Sequence, residues 1–414
     1  MAAPLLDLRH RYVHPAPPAV ELRAFTHGLM PRTVPAMLAA FAGDWAARGV
    51  DAWNAVPDHW GTGAPTGWWG LPEHLGDHFI APLLGAPAGT CIHQPNVHWT
   101  VQALLSADAP FAGGRDEIVL TEAEFPSVRH SARQWAALRG LRVTELPPGP
   151  DGFLDAGALH DAISERTAWV FVSHVGFTTG EKVPGDVLRA LAARARDAGA
   201  HFALDGYHAT ATGPIDAPAL GADVYFGGLL KEGSGSSGNA YLYVRPGLDL
   251  VPRLSGWFAD AEPFGFHGAP RPHPDVRRRF LAGTTAIASL YHAVEGVRIL
   301  LEAGLEAVRA DSLAKTARAI ARAEAAGLAL RSPREAARRS AMVILEVPHA
   351  DRLSAYLKTE HVFTDSRQGR FLRLAPFVWN TADDVDRAFD VVAHALRTDA
   401  HLREQLPAEG GPVT

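Results

Sequence analysis

The chain has 414 residues, 47% of them hydrophobic and 20% charged, with a formal net charge of −6, which is more than one small domain and enough apolar residues for a large core. That charge gives no general attraction to nucleic acid or to an anionic membrane. A single cysteine, Cys91, excludes an internal disulfide and a thiolate-only metal cage.

In chain order, MAAPLLDLRHRYVHPAPP offers only a short apolar stretch before charges and prolines arrive. No uncharged apolar run approaches the ~18 residues of a membrane span. The expected location is therefore the cytoplasm. A Pro-rich arm leads into a helix expected over Pro35–Arg48. The Trp-, Gly- and Pro-rich stretch Asp51–Gly70 has no periodicity and reads as a long structured loop, of the kind that borders sites.

From Pro72 to Pro246 short apolar runs alternate with helical patterns. Glu117–Leu120, Thr167–Val172, His201–Asp205, Val224–Leu230 and Ala240–Val244 read as buried strands. Ser127–Ala137 and Asp186–Ala198 read as helices. The alternation predicts an α/β fold, a mostly parallel sheet covered by helices on both faces. After Gly283 the pattern changes: a long helical stretch from Ile287 to Ala326, strands near Ala341–Val347 and Phe371–Leu374, and a last helix over Ala382–Arg397. This reads as a smaller α+β domain. The expected units are 1–70 (arm and loop), 71–283 (large domain) and 284–414 (small C-terminal domain), with a disordered tail over Pro407–Thr414.

Chemistry concentrates in two stretches. In HFALDGYHAT an apolar strand runs into Asp205, with His208 three residues later; ligands of such sheets bind just beyond the carboxyl ends of strands. Alone, Asp205 could equally cap the next turn. In YFGGLLKEGSGSSG a buried strand leads to Lys231 and a Gly/Ser-rich loop. Lysine is rarely buried without a reason, and in a dry pocket it can bond a carbonyl. A carboxylate and a lysine on successive strands match the needs of pyridoxal 5'-phosphate (PLP), a carboxylate for the ring nitrogen and an amine for the aldehyde.

With these residues the chain resembles the kynureninase branch of the class V aminotransferase-fold PLP enzymes, over roughly Thr90–Arg397. The resemblance implies PLP fold type I, with a mostly parallel seven-stranded sheet in the large domain. It implies that Asp205 meets the pyridine nitrogen, that His208 lies beside the ring hydroxyl or phosphate, and that Lys231 is the cofactor lysine and the catalytic base. Phe125, in EAEFPS, becomes the ring platform; without that context a packing role would be expected. Asn96 and Val97, opening the helix that runs through Leu105, become phosphate ligands through backbone amides; Asn96 is also simply a good N-cap. Ser173 faces the cofactor. Trp257, in SGWF, and Thr284 and Thr285, in GTT, fall where the family reaches a phosphate, often that of a neighbouring subunit, which implies a homodimer. Phe258 is placed with the substrate. Arg373, in RLAPFVWN, becomes the clamp on the amino-acid carboxylate, since its fork matches a carboxylate.

The chain also departs from the pattern. A family tyrosine before the lysine is Leu230 here, a Gly-Asn-Ser-Leu-Gly segment is replaced by Phe25-Thr26-His27-Gly28-Leu29-Met30, and an aspartate after Phe-Pro-Ser is Val128. The expected function is side-chain cleavage of an α-amino acid, kynureninase-type Cβ–Cγ hydrolysis or β-elimination, with an aromatic side chain first. A class V aminotransferase or epimerase is the alternative, and a non-catalytic PLP-fold protein is a further one. No metal-binding spacing occurs despite twenty histidines. A cysteine desulfurase would need a reactive cysteine late in the chain, whereas Cys91 sits early, in a predicted strand.

Overall fold

The structure is a computed structural model that describes residues 6–15 and 19–403; the tail expected over Pro407–Thr414 lies outside them. Its centre is a seven-stranded sheet of β1 (Cys91–Gln94), β2 (Glu117–Thr121), β3 (Arg142–Leu146), β4 (Thr167–Ser173), β5 (His201–Asp205), β6 (Val224–Gly228) and β7 (Ala240–Val244). The order across the sheet is β1-β7-β6-β5-β4-β2-β3. β2 to β6 run parallel, and β7 lies antiparallel between β6 and β1. The α/β fold of type I expected from the sequence is the fold observed.

The inner strands are buried along nearly their whole length because both faces are covered. Successive residues go to opposite layers: Val119, Val170, Phe202, Leu204 and Tyr225 join one core, while Ile118, Leu120, Phe171, Ala203 and Phe226 join the other. β3, at the edge, alternates Arg142-Val143-Thr144-Glu145-Leu146 and is only partly buried, and its polar alternation hid it from a search for apolar runs.

The C-terminal domain carries a four-stranded antiparallel sheet of β8 (Ala329–Leu330), β9 (Val343–Glu346), β10 (Asp365–Arg367) and β11 (Phe371–Leu374), in the order β10-β11-β9-β8. The N-terminal segment is stitched to it. Val20–Glu21 pairs in parallel with Val362–Phe363, and Arg23 bridges to Ala375. The helical stretch expected as one unit from Ile287 to Ala326 is three helices, Ile287–His292, Glu295–Ala303 and Leu305–Ala325. Gly304, at φ +85°, breaks the last two apart in a conformation that glycine tolerates. β6 stops at Gly228, two residues before the expected end, where the Leu229 carbonyl accepts from Gly235 N–H at 2.6 Å and the chain turns into the loop that carries Lys231.

Candidate active site

The carboxyl ends of β4 and β5, with the segments that follow β2 and β6, converge on one cavity of about 400 Å³. Phe125, Ser173, Asp205, His208, Lys231 and Arg373 all line it. Six of the residues singled out from the sequence, spread over about 250 positions, thus meet in one place.

Lys231 lies three residues beyond β6, and its loop is fixed from the far end of the chain. Gly28 N–H donates to the Leu230 carbonyl at 3.1 Å, and a Cβ on Gly28 would stand 2.1 Å from the Lys231 carbonyl oxygen. The amine meets His208 Nε2 at 2.8 Å and stands over two rings, 4.6 Å from the centre of Tyr207 and 5.9 Å from that of Phe125. Burial lowers the pKa of Lys231 and raises that of its neighbour Glu232, so both move toward their neutral forms. His208 is also fully buried and is held well below the usual imidazole range by that burial and by Lys231. A neutral imidazole therefore faces the amine.

Asp205 ends β5 and is paired across the sheet with Ser173 of β4. Its Oδ1 accepts from Tyr207 N–H at 2.8 Å, and burial pushes the carboxyl up to about 6. Gly228 lets Tyr207 lie flat against the strand, since a Cβ there would stand 2.2 Å from the tyrosine ring.

Arg373 lies on β11 and is only 2% exposed. Asp365, its partner across the β10–β11 pair, accepts from Arg373 Nη2 at 2.9 Å; Asp365 also accepts from Thr26 Oγ1 at 2.5 Å and from Arg367. The guanidinium is sandwiched between Phe25, 4.3 Å from its ring centre, and Phe177, at 5.2 Å. One face of the fork is thereby held, while Nη1 is buried without a hydrogen-bond partner. A buried donor left unpaired is costly unless a ligand satisfies it, and a carboxylate is the acceptor that fits a guanidinium. Asp365, Arg367, Phe25, Thr26, Phe177 and Tyr207 are site residues that sequence reasoning did not select. Phe25 and Thr26 stand out in the sequence only as part of the segment Phe25–Met30, a departure from the family pattern.

The remaining expected site residues lie outside this cavity. Asn96 is the N-cap of the helix Val97–Ser106, where its Oδ1 accepts from Trp99 N–H at 2.7 Å; Val97 is buried in the core. Trp257 and Thr284 line a second, larger cavity of about 1060 Å³, together with Trp53, Trp69 and Phe264 of the surrounding loops. Phe258 is fully buried, its ring 4.3 Å from that of Trp69 and 6.0 Å from that of Trp53. Thr285, next to Thr284, is half-buried.

The class V aminotransferase family model matches residues 100–369, well over half of the chain. The chain belongs to the class V aminotransferase family. It is 29% identical to a kynureninase of Burkholderia pseudomallei (strain K96243), over 96% of this chain and 94% of that protein. It is 30% identical to the uncharacterized aminotransferase YcbU of Bacillus subtilis (strain 168), over 76% of this chain and 81% of that one. Among solved structures, an apo cysteine desulfurase from Thermococcus onnurineus NA1 superposes with a TM-score of 0.79 at 18% identity, covering 96% of this chain and all of its own. A mutant of C-DES with glycine covalently linked to the PLP cofactor superposes equally well, at 0.79 and 18%, covering 93% of this chain and 98% of that one.

PLP is the cofactor of this family of enzymes, and the residues present fit it. A buried amine with a lowered pKa faces a cavity together with a buried carboxylate whose side chain accepts one hydrogen bond among the described residues, and two aromatic rings lie close to the amine. The cavity lies within the 300–1,000 Å³ common for small-ligand sites. Among the described residues no group of three or more His, Cys, Asp or Glu could hold a metal ion, and no helix is long and apolar enough to cross a membrane.

Proposed function

We propose that the chain cleaves the side chain of an α-amino acid, by kynureninase-type Cβ–Cγ hydrolysis or β-elimination, with an aromatic side chain as the first expectation. The observation that carries the amino-acid reading is Arg373. It is buried, fixed on one side by Asp365 and two rings, and free at Nη1, in the cavity that holds Lys231. That is a built receptor for a carboxylate beside an amine.

Bound PLP supplies an aldehyde for the substrate amine and a ring that draws electrons from Cα. Asp205, whose carboxyl is raised only to about 6, is ionised at neutral pH and would hold a proton on the ring nitrogen. Lys231 would hold the aldehyde through its amine, and the same amine is placed to take and return the Cα proton. Burial lowers its pKa into the range where a base works. His208, neutral and 2.8 Å from Nζ, accepts from that amine and keeps it aimed. Arg373 fixes the carboxylate, and so the bond that stands across the ring. Phe25 and Phe177 keep water from the guanidinium and strengthen its grip.

The kynureninase relatives align along nearly the whole chain, which supports the hydrolytic reading. A desulfurase reading, prompted by the structural neighbours, lacks its nucleophile. Cys91 is the sole cysteine; it lies fully buried in β1, and burial pushes its thiol up to about 12. Aminotransfer is the second reading, favoured by Leu230 in place of the tyrosine that the resemblance calls for, and by the match to YcbU. A non-catalytic role would not call for both Lys231 and Arg373. The proposal extends to a cytoplasmic homodimer in which a second copy covers the face around Trp257 and Thr284, with Asn96, Val97, Trp257, Thr284 and Thr285 serving the phosphate end and Phe258 the substrate end as the resemblance implies. Product analysis decides among the reactions. L-kynurenine, 3-hydroxykynurenine and a panel of aromatic amino acids are each incubated with the PLP-loaded protein. Cleaved fragments such as an anthranilate support the proposal; a keto acid with an intact side chain, or an inverted amino acid, overturns it in favour of aminotransfer or epimerisation.

A further inference from the structure

Behind the cofactor cavity lies a second, smaller one of about 190 Å³, and Ser173 lines both. The smaller cavity opens to solvent past Glu122, Pro147 and Pro148, all exposed. Glu124 lines it from inside and is only 3% exposed. Two donors already meet its Oε1, Ser173 N–H at 2.8 Å and Thr121 Oγ1 at 3.0 Å, while Oε2 has one contact, Ser173 Oγ at 2.6 Å. That last contact has two proton placements. With Glu124 ionised, the serine hydroxyl donates to Oε2, and Ser173 offers only lone pairs to the cofactor cavity. With Glu124 protonated at Oε2, the carboxyl donates to Ser173 Oγ, and the serine hydrogen is released toward the cofactor cavity, beside Asp205.

We propose that Glu124 and Ser173 form a hydrogen-bond relay through the wall between the two cavities, with the charge of Glu124 deciding whether Ser173 presents a hydrogen or a lone pair to the bound cofactor. The switch balances: a proton taken up by Glu124 from the solvent side sits on Oε2 and is donated in a hydrogen bond to Ser173 Oγ, the serine turns its own hydrogen toward the cofactor cavity, and loss of that proton to solvent reverses both, with no other bond changed. Burial and then the nearby Asp205 charge matter for the state of Glu124, and together with its three donors they leave the carboxyl raised to about 8, so the protonated form holds at neutral pH. The charged groups that face it are Asp205 from β5, with Lys231 beyond, and Glu122, Asp155, Glu181 and Arg331 around the smaller cavity; Glu181 is paired with Arg338 at 2.6 Å. Glu124 is a positioning residue in this scheme, acting through Ser173.

The inference rests on the PLP reading of the larger cavity, so its test begins without cofactor. Infrared difference spectra of the apo protein, taken as pH rises from 6 to 9.5, are expected to show a protonated-carboxyl stretch lost around pH 8. Glu124→Gln, which has the shape of the protonated form, is expected to lack it. Absence of that signal, or its survival in the variant, overturns the relay whatever the cofactor does. The PLP-loaded proteins are then titrated by visible absorbance. Wild type is expected to show a step near pH 8 that both Glu124→Gln and Ser173→Ala remove, with Glu124→Gln keeping the low-pH spectrum throughout. A step that persists unchanged in both variants contradicts the proposal. A protein that gives the infrared result yet binds no PLP refutes the cofactor reading instead.

Discussion

The two large cavities of this chain are built on opposite principles. The one at Lys231 holds charge: Arg373 and Asp365 are paired and buried, Asp205 is tied to a backbone amide, and the amine rests on His208. The one at Trp257 is more than twice as large and aromatic, lined by Trp53, Trp69 and Phe264, with Trp257 itself 41% exposed. Buried charge is costly unless its partners are preassembled, so the first cavity has to be finished within the fold. Exposed aromatic surface of that kind is what a protein covers with something else. On the proposed reading, chemistry belongs to the first cavity and association to the second.

The comparison breaks most sharply at Lys231. Lys231→Ala is expected to remove the visible band formed with PLP and to lower turnover by roughly 10²–10⁴-fold or more, as loss of a catalytic base does; a scan and a rate assay check both. Next comes the carboxylate receptor. Arg373→Ala leaves Asp365 buried with a partner missing, and the expected loss of stability is about 3–5 kcal/mol, read by chemical denaturation. Arg373→Lys keeps the charge but not the fork, so it is expected to raise KM for amino acids more than it lowers kcat. Smaller again is a pH effect. Glu124 has a folded pKa above its unfolded one, so the stability it contributes is full below about 4.5 and is lost as pH rises through about 8. Denaturation midpoints of wild type are expected to fall across that window more than those of Glu124→Gln. Smallest in the monomer is Trp257→Ala. An exposed ring is expected to contribute little to folding, within about 0.5 kcal/mol, while sedimentation shows weakened self-association. If that substitution instead left self-association unchanged, the role given to the second cavity would fail.

The reach of the sequence follows the same division. Asp205, His208 and Lys231 were legible because each sits in a short stretch whose neighbours explain it, an apolar strand ending in an acid or a buried strand running into glycines. Arg373 was legible from its Ala-Pro context. Its partner Asp365 was not, since a lone aspartate in a short polar strand carries no local signal, and only the register of β10 against β11 brings the two together. The aromatic walls were hidden for a stronger reason. Phe25 and Phe177 are about 150 residues apart and meet only across Arg373. The strand pairing that brings the N-terminal segment to the site, Val20–Glu21 against Val362–Phe363, joins nearly the whole length of the chain. The helical stretch after Gly283 was misjudged as one unit because its periodicity carries through Gly304, where the backbone does not.

The most direct test of the account is chemical. PLP-loaded protein is reduced with borohydride, digested, and its peptides weighed. The account predicts a single pyridoxyl mass addition on the peptide carrying Lys231, absent from the unreduced sample. A label on another lysine, or none after saturation with PLP, would contradict the assignment of Lys231 and with it the reading of the cavity.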